Sequence, residues 1–460
     1  MTIWSPRIED SGPVYLAITR ALEADIRSGR LRAGDRLPPH RELAESLGVN
    51  VGTVSRAYAE ARRRGLVRGE VGRGTFVQPP GSLPFGAAIA APDEAGPIDL
   101  ATNVPLRDPA PDLAAALREL AAAPDLDARV AYGDPAGSAE VRRAGAAWLT
   151  GLGVPVTPDR VVVCAGAQHA ILTALACVVG PGEVVLAEAL TYPGFLGAAR
   201  MLGLRVRGVA LDPHGLVPES LEALCQSERP RLLYCMPALQ NPTAVRLGAE
   251  RRRRIAEIAR RHDLVLVQDD VQSGLVDDPE PSLASLAPER VLTIASLSKN
   301  FVPGLRIAFL GGAQLDTDRA REVVWSSIWM ASAIGAEIAR RWIEDGTGHA
   351  VLARRRTEMQ ARHALARQIL AGTSYVSQAG SHHLWLPLPP PWSTASFTSE
   401  LARRGVKVSA SDAFLAQRAE APRAVRVSIS GPYTRARLEQ GLRALRRLLD
   451  EGPTTSRPYL

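Results

Sequence analysis

Val14, Ile18, Leu22 and Ile26 recur at every fourth position, which gives one helix an apolar stripe, and the helix is expected to end near Gly29. After Leu37-Pro38-Pro39 a short second helix carries Arg41, Leu43, Ala44 and Leu47, and Gly48-Val49 makes a turn. Asn50 suits the N-cap of a third helix whose stripe is Val54, Ala57, Tyr58 and Ala61. Leu66 to Glu70 and Thr75 to Val77 read as two short strands joined through Gly72-Arg73-Gly74. Residues 78–98, rich in Pro, Gly and Ala, sustain no apolar period and read as a linker. Beyond them, apolar runs at Arg160 to Cys164, Glu183 to Leu186, Leu232 to Cys235 and Leu264 to Val267 alternate with longer helical patterns. That alternation predicts an α/β domain, a mainly parallel sheet covered by helices on both faces.

Helix, short helix, turn, helix and hairpin is the order of a winged helix-turn-helix. The stretch GDRLPPHRELAESLGVNVGTVSRAYAEARRRGLVRGEVGRGTFV resembles the GntR family of bacterial DNA-binding domains. By that resemblance the helix from Asn50 enters the major groove of an operator and the hairpin rides beside it. Arg41, Asn50, Thr53 and Ser55 then fall at DNA-contacting positions, with Arg73 at the tip of the wing. Val51 stands where many relatives carry Arg, which leaves base preference open. Charge agrees with a nucleic-acid partner, since residues 1–80 hold 13 Arg against 9 acidic residues.

A chain of 460 residues exceeds what one core usually organises, so two or three domains are expected. No stretch approaches the roughly 18 uncharged apolar residues of a membrane span, and the start does not read as a signal peptide, so the expected compartment is the cytoplasm. Cys164, Cys177, Cys225 and Cys235 lack CxxC spacing and suggest neither zinc nor disulfides. Among 55 basic residues only Lys299 and Lys407 are lysine. A lysine kept against so strong a preference for arginine is a candidate for imine chemistry, which a guanidinium cannot do.

Ligands of parallel α/β sheets bind beyond the carboxyl ends of the strands, and four loops there carry candidate chemistry. Gly166-Ala167-Gln168-His169 opens a helix whose first backbone N–H groups suit a phosphate, although Gly is also common in plain strand-to-helix turns. Gln240-Asn241-Pro242-Thr243 can aim an amide at a ring oxygen or be a turn and no more. Asp269-Asp270 follows a strand and can place one carboxylate in the site; no His or further carboxylate cluster lies nearby to make a metal centre. Ala295-Ser296-Leu297-Ser298-Lys299, followed by Pro303-Gly304-Leu305-Arg306, offers two hydroxyls, an amine and a guanidinium.

Together these loops resemble fold-type I pyridoxal-phosphate (PLP) enzymes, the class I aminotransferases, over residues 98–450, which implies large and small subdomains. The resemblance implies that Lys299 forms the Schiff base and Asp269 pairs with the pyridine nitrogen, with Asp270 as the less favoured neighbour. It puts Asn241 on the phenolic oxygen and Tyr192 against the ring. It gives the phosphate Ala167, Gln168, Ser296, Ser298 and Arg306, with Tyr132 reaching across from the partner subunit of a homodimer. Arg426, in the apolar run Ala424 to Ile429, falls where the family clamps a carboxylate. Val271 and Gln272 stand where a tyrosine usually follows the aspartate, and Ala244 where Gly is usual.

The fusion resembles the MocR subgroup of GntR regulators: residues 1–77 a winged helix, 78–98 a linker, 99–460 an aminotransferase-like effector domain. Its implied function is a PLP-dependent regulator that binds operator DNA and senses an amine or amino-acid effector by imine exchange at Lys299. The alternatives are a working aminotransferase with a fused DNA-binding domain and a regulator whose PLP site is inert.

Overall fold

The computed structural model describes residues 4–6, 13–32, 34–63, 66–70, 74–77, 96–107, 110–276, 280–417 and 419–452. The chain divides into two compact units, Met1–Ala90 and Ala91–Leu460. Of the expected linker, residues 78–95 lie outside the described residues, and its last residue, Ile98, opens a strand.

In the first unit the helices Val14–Arg27, His40–Leu47 and Val51–Arg63 surround a core of Ile18, Leu22, Leu43, Val54, Ala57, Tyr58 and Ala61. Val14, expected in the buried stripe, is exposed, while Trp4 enters the core and its indole donates to Asp25 at 2.9 Å. The Pro38-Pro39 entry is held by Tyr58, whose hydroxyl donates to Pro38 O at 2.9 Å. Gly48 closes the second helix at φ 63°, a left-handed conformation favouring glycine. Asn50 caps the third through Oδ1, which accepts the Gly52 amide at 2.7 Å. The hairpin Val67–Glu70 and Gly74–Val77 gains a third strand, Arg36–Leu37, paired antiparallel to Gly74–Val77. Two residues carry no period, so that strand has no signature in the sequence.

The second unit is built on a seven-stranded sheet in the order Val161–Cys164, Ala308–Gly311, Val291–Ser296, Val265–Asp269, Leu232–Cys235, Val184–Glu188, Arg205–Val209. Only Ala308–Gly311 runs antiparallel to its neighbours. Alternate residues feed two cores: Val161, Val163, Leu186 and Leu233 face one, and Val162, Cys164, Val185 and Leu232 the other. Burial on both faces is why these strands read as unbroken apolar runs. A second sheet of four strands follows the order His383–Pro387, Ala424–Ser428, Val406–Ala410, Ile98–Leu100. Among the described residues no helix is long and apolar enough to cross a membrane.

Candidate functional site

The carboxyl ends of the parallel strands bring the four loops to one place, and the small sheet adds a further wall. Gly166, at φ 82°, starts the helix Ala167–Val178, and a Cβ there would lie 2.5 Å from Arg306 Nη2. Only glycine allows the guanidinium so near the helix start. Arg306 reaches Ser298 Oγ and Ala165 O, both at 3.4 Å, and Ser296 Oγ accepts the Ser298 amide at 3.2 Å. The first-turn amides of Ala167, Gln168 and His169 have no intrahelical partner, so they and Arg306 form a cradle for an anion. The Gln168 side chain is turned to Gly194 O, at 2.7 Å, leaving its backbone for the cradle. His169 braces the turn from below: Nδ1 accepts the Ala165 amide at 3.2 Å and Nε2 meets Ser327 Oγ at 2.9 Å.

Asp269 is buried at the end of its strand, where burial raises its pKa; Tyr234 donates its hydroxyl to Oδ2 and the Val271 amide reaches Oδ1 at 3.0 Å. Tyr234 in turn stacks on Phe195 with ring centroids 4.4 Å apart. Asp270 is engaged by the Gln268 amide, which also accepts from the Leu283 N–H at 3.0 Å, and Asp269 is the carboxylate whose charge acts on Tyr192. Burial raises the pKa of Tyr192 as well, with Asp269 adding to the shift and Arg426 and Arg306 opposing it, which puts this ring among those three groups. Lys299 follows on the next loop. Its amine donates to Asn103 O, and Arg355, from the helix Thr347–Ile369, donates to its backbone carbonyl at 3.2 Å.

Burial, with Arg426 and Arg306 nearby, lowers the Lys299 pKa to about 8. Reductive methylation of the ligand-free chain should therefore label Lys299 half-maximally near pH 8, about two units below an unperturbed lysine. Having only one other lysine, Lys407, the chain makes the two signals separable by mass. A midpoint above pH 10 would mean the amine is not held as described.

Arg426 is only 7% exposed and lies over the Phe414 ring, 4.9 Å from its centroid; burial lowers its pKa to about 10. Nη1 donates to Asn241 Oδ1 at 2.7 Å, and Nε is buried without a hydrogen-bond partner. Among the described residues no carboxylate hydrogen-bonds to it, and Asp99 acts on it only through charge. Strand register puts Arg426 opposite Trp385 and Ser409, with His383 opposite Ser428, so all five share one face of the small sheet. His383 Nδ1 meets Asn103 Nδ2 at 2.9 Å, and burial holds its pKa well down, so the ring is neutral. Ala244, in place of the usual Gly, adopts φ 57° behind the Asn241 loop.

Tyr132 stands away from these groups, 84% exposed, with Trp329 as its ring neighbour at 5.4 Å and Trp325 beyond at 5.8 Å. In the first unit Arg41 and Asn50 are exposed and Thr53 and Ser55 half-buried; Ser55 Oγ meets His40 Nδ1 at 2.9 Å. Arg73 lies outside the described residues. Arg41→Ala should weaken DNA binding across sequences alike and reduce the salt slope by about one, whereas a loss confined to one operator would make Arg41 a base reader. Sequence reasoning passed over Asn103, Tyr234, Arg355, His383 and Ser409, and named His169 in its loop without a role. Asn103, His383 and Ser409 come from segments far apart in the chain, and none belongs to a motif.

Comparison with known proteins agrees with both halves. The family model for aminotransferase class I and II matches residues 95–445, and that for bacterial regulatory proteins of the gntR family matches 14–77. Among solved structures, an archaeal alanine:glyoxylate aminotransferase shares 24% identity with a TM-score of 0.70, covering 78% of this chain and 92% of that one. The kynurenine aminotransferase of Pyrococcus horikoshii gives a TM-score of 0.71 at 22% identity, covering 78% and 92%. The fold is thus a fold-type I, aminotransferase-like domain joined to a winged helix-turn-helix. An HTH-type transcriptional regulator of Bacillus subtilis, YdeF, is 32% identical over 97% of each chain. The vitamin B6 salvage pathway transcriptional repressor PtsJ of Salmonella typhimurium is 29% identical over 86% of this chain and 89% of its own. The chain belongs to the MocR-type branch of the GntR regulators.

Proposed function

We propose that this protein is a PLP-dependent, DNA-binding transcription regulator that senses an amine or amino acid at Lys299. The observation that carries the reading is the convergence of Lys299, Asp269, Asn241, Arg426 and the Gly166–Arg306 cradle in a chain that also holds a winged helix. We take residues 1–77 as the DNA reader, 78–98 as linker and 99–460 as effector domain.

The residues present fit the cofactor. The amides of Ala167 and Gln168, with Ser296, Ser298 and Arg306, would hold its phosphate dianion. Asp269, costly to ionise where it is buried, would gain a cationic partner in a protonated ring nitrogen. Tyr192 would stack on the ring, and Asn241, whose Oδ1 is taken by Arg426, keeps its amide N–H for the phenolic oxygen. When bound, PLP supplies an aldehyde carbon that condenses reversibly with primary amines. Lys299 would provide the resident amine; a pKa near 8 keeps an appreciable neutral fraction at physiological pH. Arg426 would orient the ligand through its carboxylate. Val271 and Gln272 offer no phenol, and the Tyr234 hydroxyl is committed to Asp269. We attribute to that lack a site suited to holding a ligand more than to turning it over.

The test is to titrate the PLP-loaded chain with amino acids, amines and B6 vitamers while following absorption and operator affinity together. The Salmonella relative is a repressor of vitamin B6 salvage, which is the reason for including vitamers. Compounds that change absorption but never operator affinity would refute the sensor reading. Steady turnover with an amino acid and a 2-oxo acid would select the aminotransferase instead.

Homodimerisation is part of the proposal. Tyr132, Trp325, Trp329, Ile328 and Ile334 are exposed large side chains, a patch of the kind that marks interfaces. Joint replacement of Trp325 and Trp329 by Asp is expected to give monomers by light scattering. Tyr132→Phe, which removes one hydrogen bond to a phosphate across that interface, should weaken PLP retention about tenfold with melting unchanged. A monomeric parent holding PLP would contradict this.

A further inference from the structure

Lys299 and Arg426 are already bonded to the chain's own backbone. Arg426 Nη2 donates to Ala101 O at 2.5 Å and to Ser409 Oγ at 3.3 Å, and Ser409 Oγ itself donates to Ala101 O at 2.9 Å. Lys299 Nζ donates to Asn103 O, two residues along. Asp99 shapes this stretch, since its Oδ1 accepts the amides of Ala101 at 2.7 Å and Thr102 at 2.9 Å. Gly431 closes over it, leaving no room for a side chain: a Cβ there would come within 2.3 Å of Asp99 O. Asp99 lies in the edge strand Ile98–Leu100, and just before that strand Gly96 O accepts from Arg437. Gly96 is the first described residue of the linker stretch 78–98.

A guanidinium offers a carboxylate two paired edges, Nη1 with Nη2 or Nε with Nη2, so two-pronged binding by either edge uses Nη2. Its two hydrogens are occupied by Ala101 O and by Ser409 Oγ, which is tied to the same carbonyl. The buried Nε marks the edge that is half vacant.

We infer that Ala101–Asn103 is an internal ligand of this site, which an amino-acid effector displaces. The inference rests on the sensing role proposed above for Lys299 and Arg426. The effector's carboxylate takes Nη2 from Ala101 O, while the Lys299 amine released by the exchange keeps its N–H for Asn103 O. An amine without a carboxylate leaves Ala101 O on Arg426. The two arrangements differ in which donors the carbonyls hold, and that difference in ligand contacts is what a binding-driven shift requires. Because the displaced backbone runs back through Gly96 into the linker, occupancy of the site acts on the segment by which the sequence reaches the winged helix.

Two stable secondary amines, N-(5'-phosphopyridoxyl)-L-alanine and N-(5'-phosphopyridoxyl)ethylamine, differ only by the carboxylate and test this in the full-length, PLP-free chain. Binding is measured by calorimetry and amide exchange by deuterium uptake with fragment resolution. The alanine conjugate is expected to speed exchange at Ala101 and Thr102 by about tenfold or more, and the ethylamine conjugate to leave it within about twofold. Asp99→Ala, which loosens the internal ligand, should bind the alanine conjugate about fivefold tighter than the parent. Asp99→Asn, which retains an Oδ1 acceptor and loses only charge, should stay within about twofold. If both conjugates bind and neither alters exchange, or if the two Asp99 variants behave alike, the internal ligand is overturned while the sensing role stands. If neither conjugate binds, the sensing role fails and the inference falls with it.

Discussion

Replacing Lys299 by alanine is expected to abolish the absorption of PLP held as a Schiff base and to let the cofactor wash out on gel filtration. Nonspecific DNA affinity should change by less than about twofold, because the winged helix is a separate compact unit with its own core. Stability supplies an independent check. The Lys299 pKa, about 8 in the folded chain, lies below that of an unfolded lysine near 10.4, so the unfolded state binds more protons between those values. Folding therefore bears a cost for this ammonium below pH 8, and the cost is relieved as pH rises from about 8 to about 10. The parent should gain stability relative to Lys299→Ala across that window, as seen by urea unfolding at pH 7 and 9.5. A parent that loses ground there has the sign reversed and would show that burial does not depress the amine. A folded variant that no longer binds nonspecific DNA would show that the two units are not independent.

Arg426→Lys is expected to weaken binding of carboxylate-bearing ligands by about 30-fold or more, the range for breaking a buried, charge-assisted pair, while PLP affinity is unchanged. Lysine keeps the positive charge but cannot present a planar fork. It also cannot serve Asn241 Oδ1, Ala101 O and Ser409 Oγ together, as the guanidinium does. Carboxylate-free amines should perturb the absorption of the variant and the parent equally. If such an amine alters absorption and operator affinity of the parent as strongly as any amino acid, Arg426 is not the selector. The competing view, that Arg426 is a structural ion pair, is not supported by its bonding among the described residues, where its acceptors are an amide, a carbonyl and a hydroxyl and Asp99 acts on it only through charge.

Elements that carry their own period were legible before folding was considered. The three helices of the first unit and the strands at 161–164, 184–188, 232–235 and 265–269 all fell within a few residues of the expected runs. Their burial is periodic, and periodicity is a local property of the chain. The retained lysine was legible through residue choice, because arginine fills nearly every other cationic position. So were the Gly, Asn-Pro and Asp loops, since strand ends in α/β sheets are where polar loops collect.

Which group each side chain meets was settled by the packing of the chain in space. Tyr234 reaches Asp269 because its strand lies parallel to Val265–Asp269 with Tyr234 opposite Val267, which puts the acid two residues on along the same face. No spacing in the sequence encodes that register. The exposure of Val14 and the burial of Trp4 were settled by competition for one small core. The neighbours of Arg426 come from residues 101, 241 and 409, brought together by two sheets and their crossovers. Pattern along the chain was therefore enough for a winged helix followed by an α/β domain, and for which polar residues stand at the strand ends. The closing of backbone carbonyls onto Lys299 and Arg426 belongs to the fold, because hydrogen-bond partners are chosen by distance in space, and pattern along the chain records only distance along the chain.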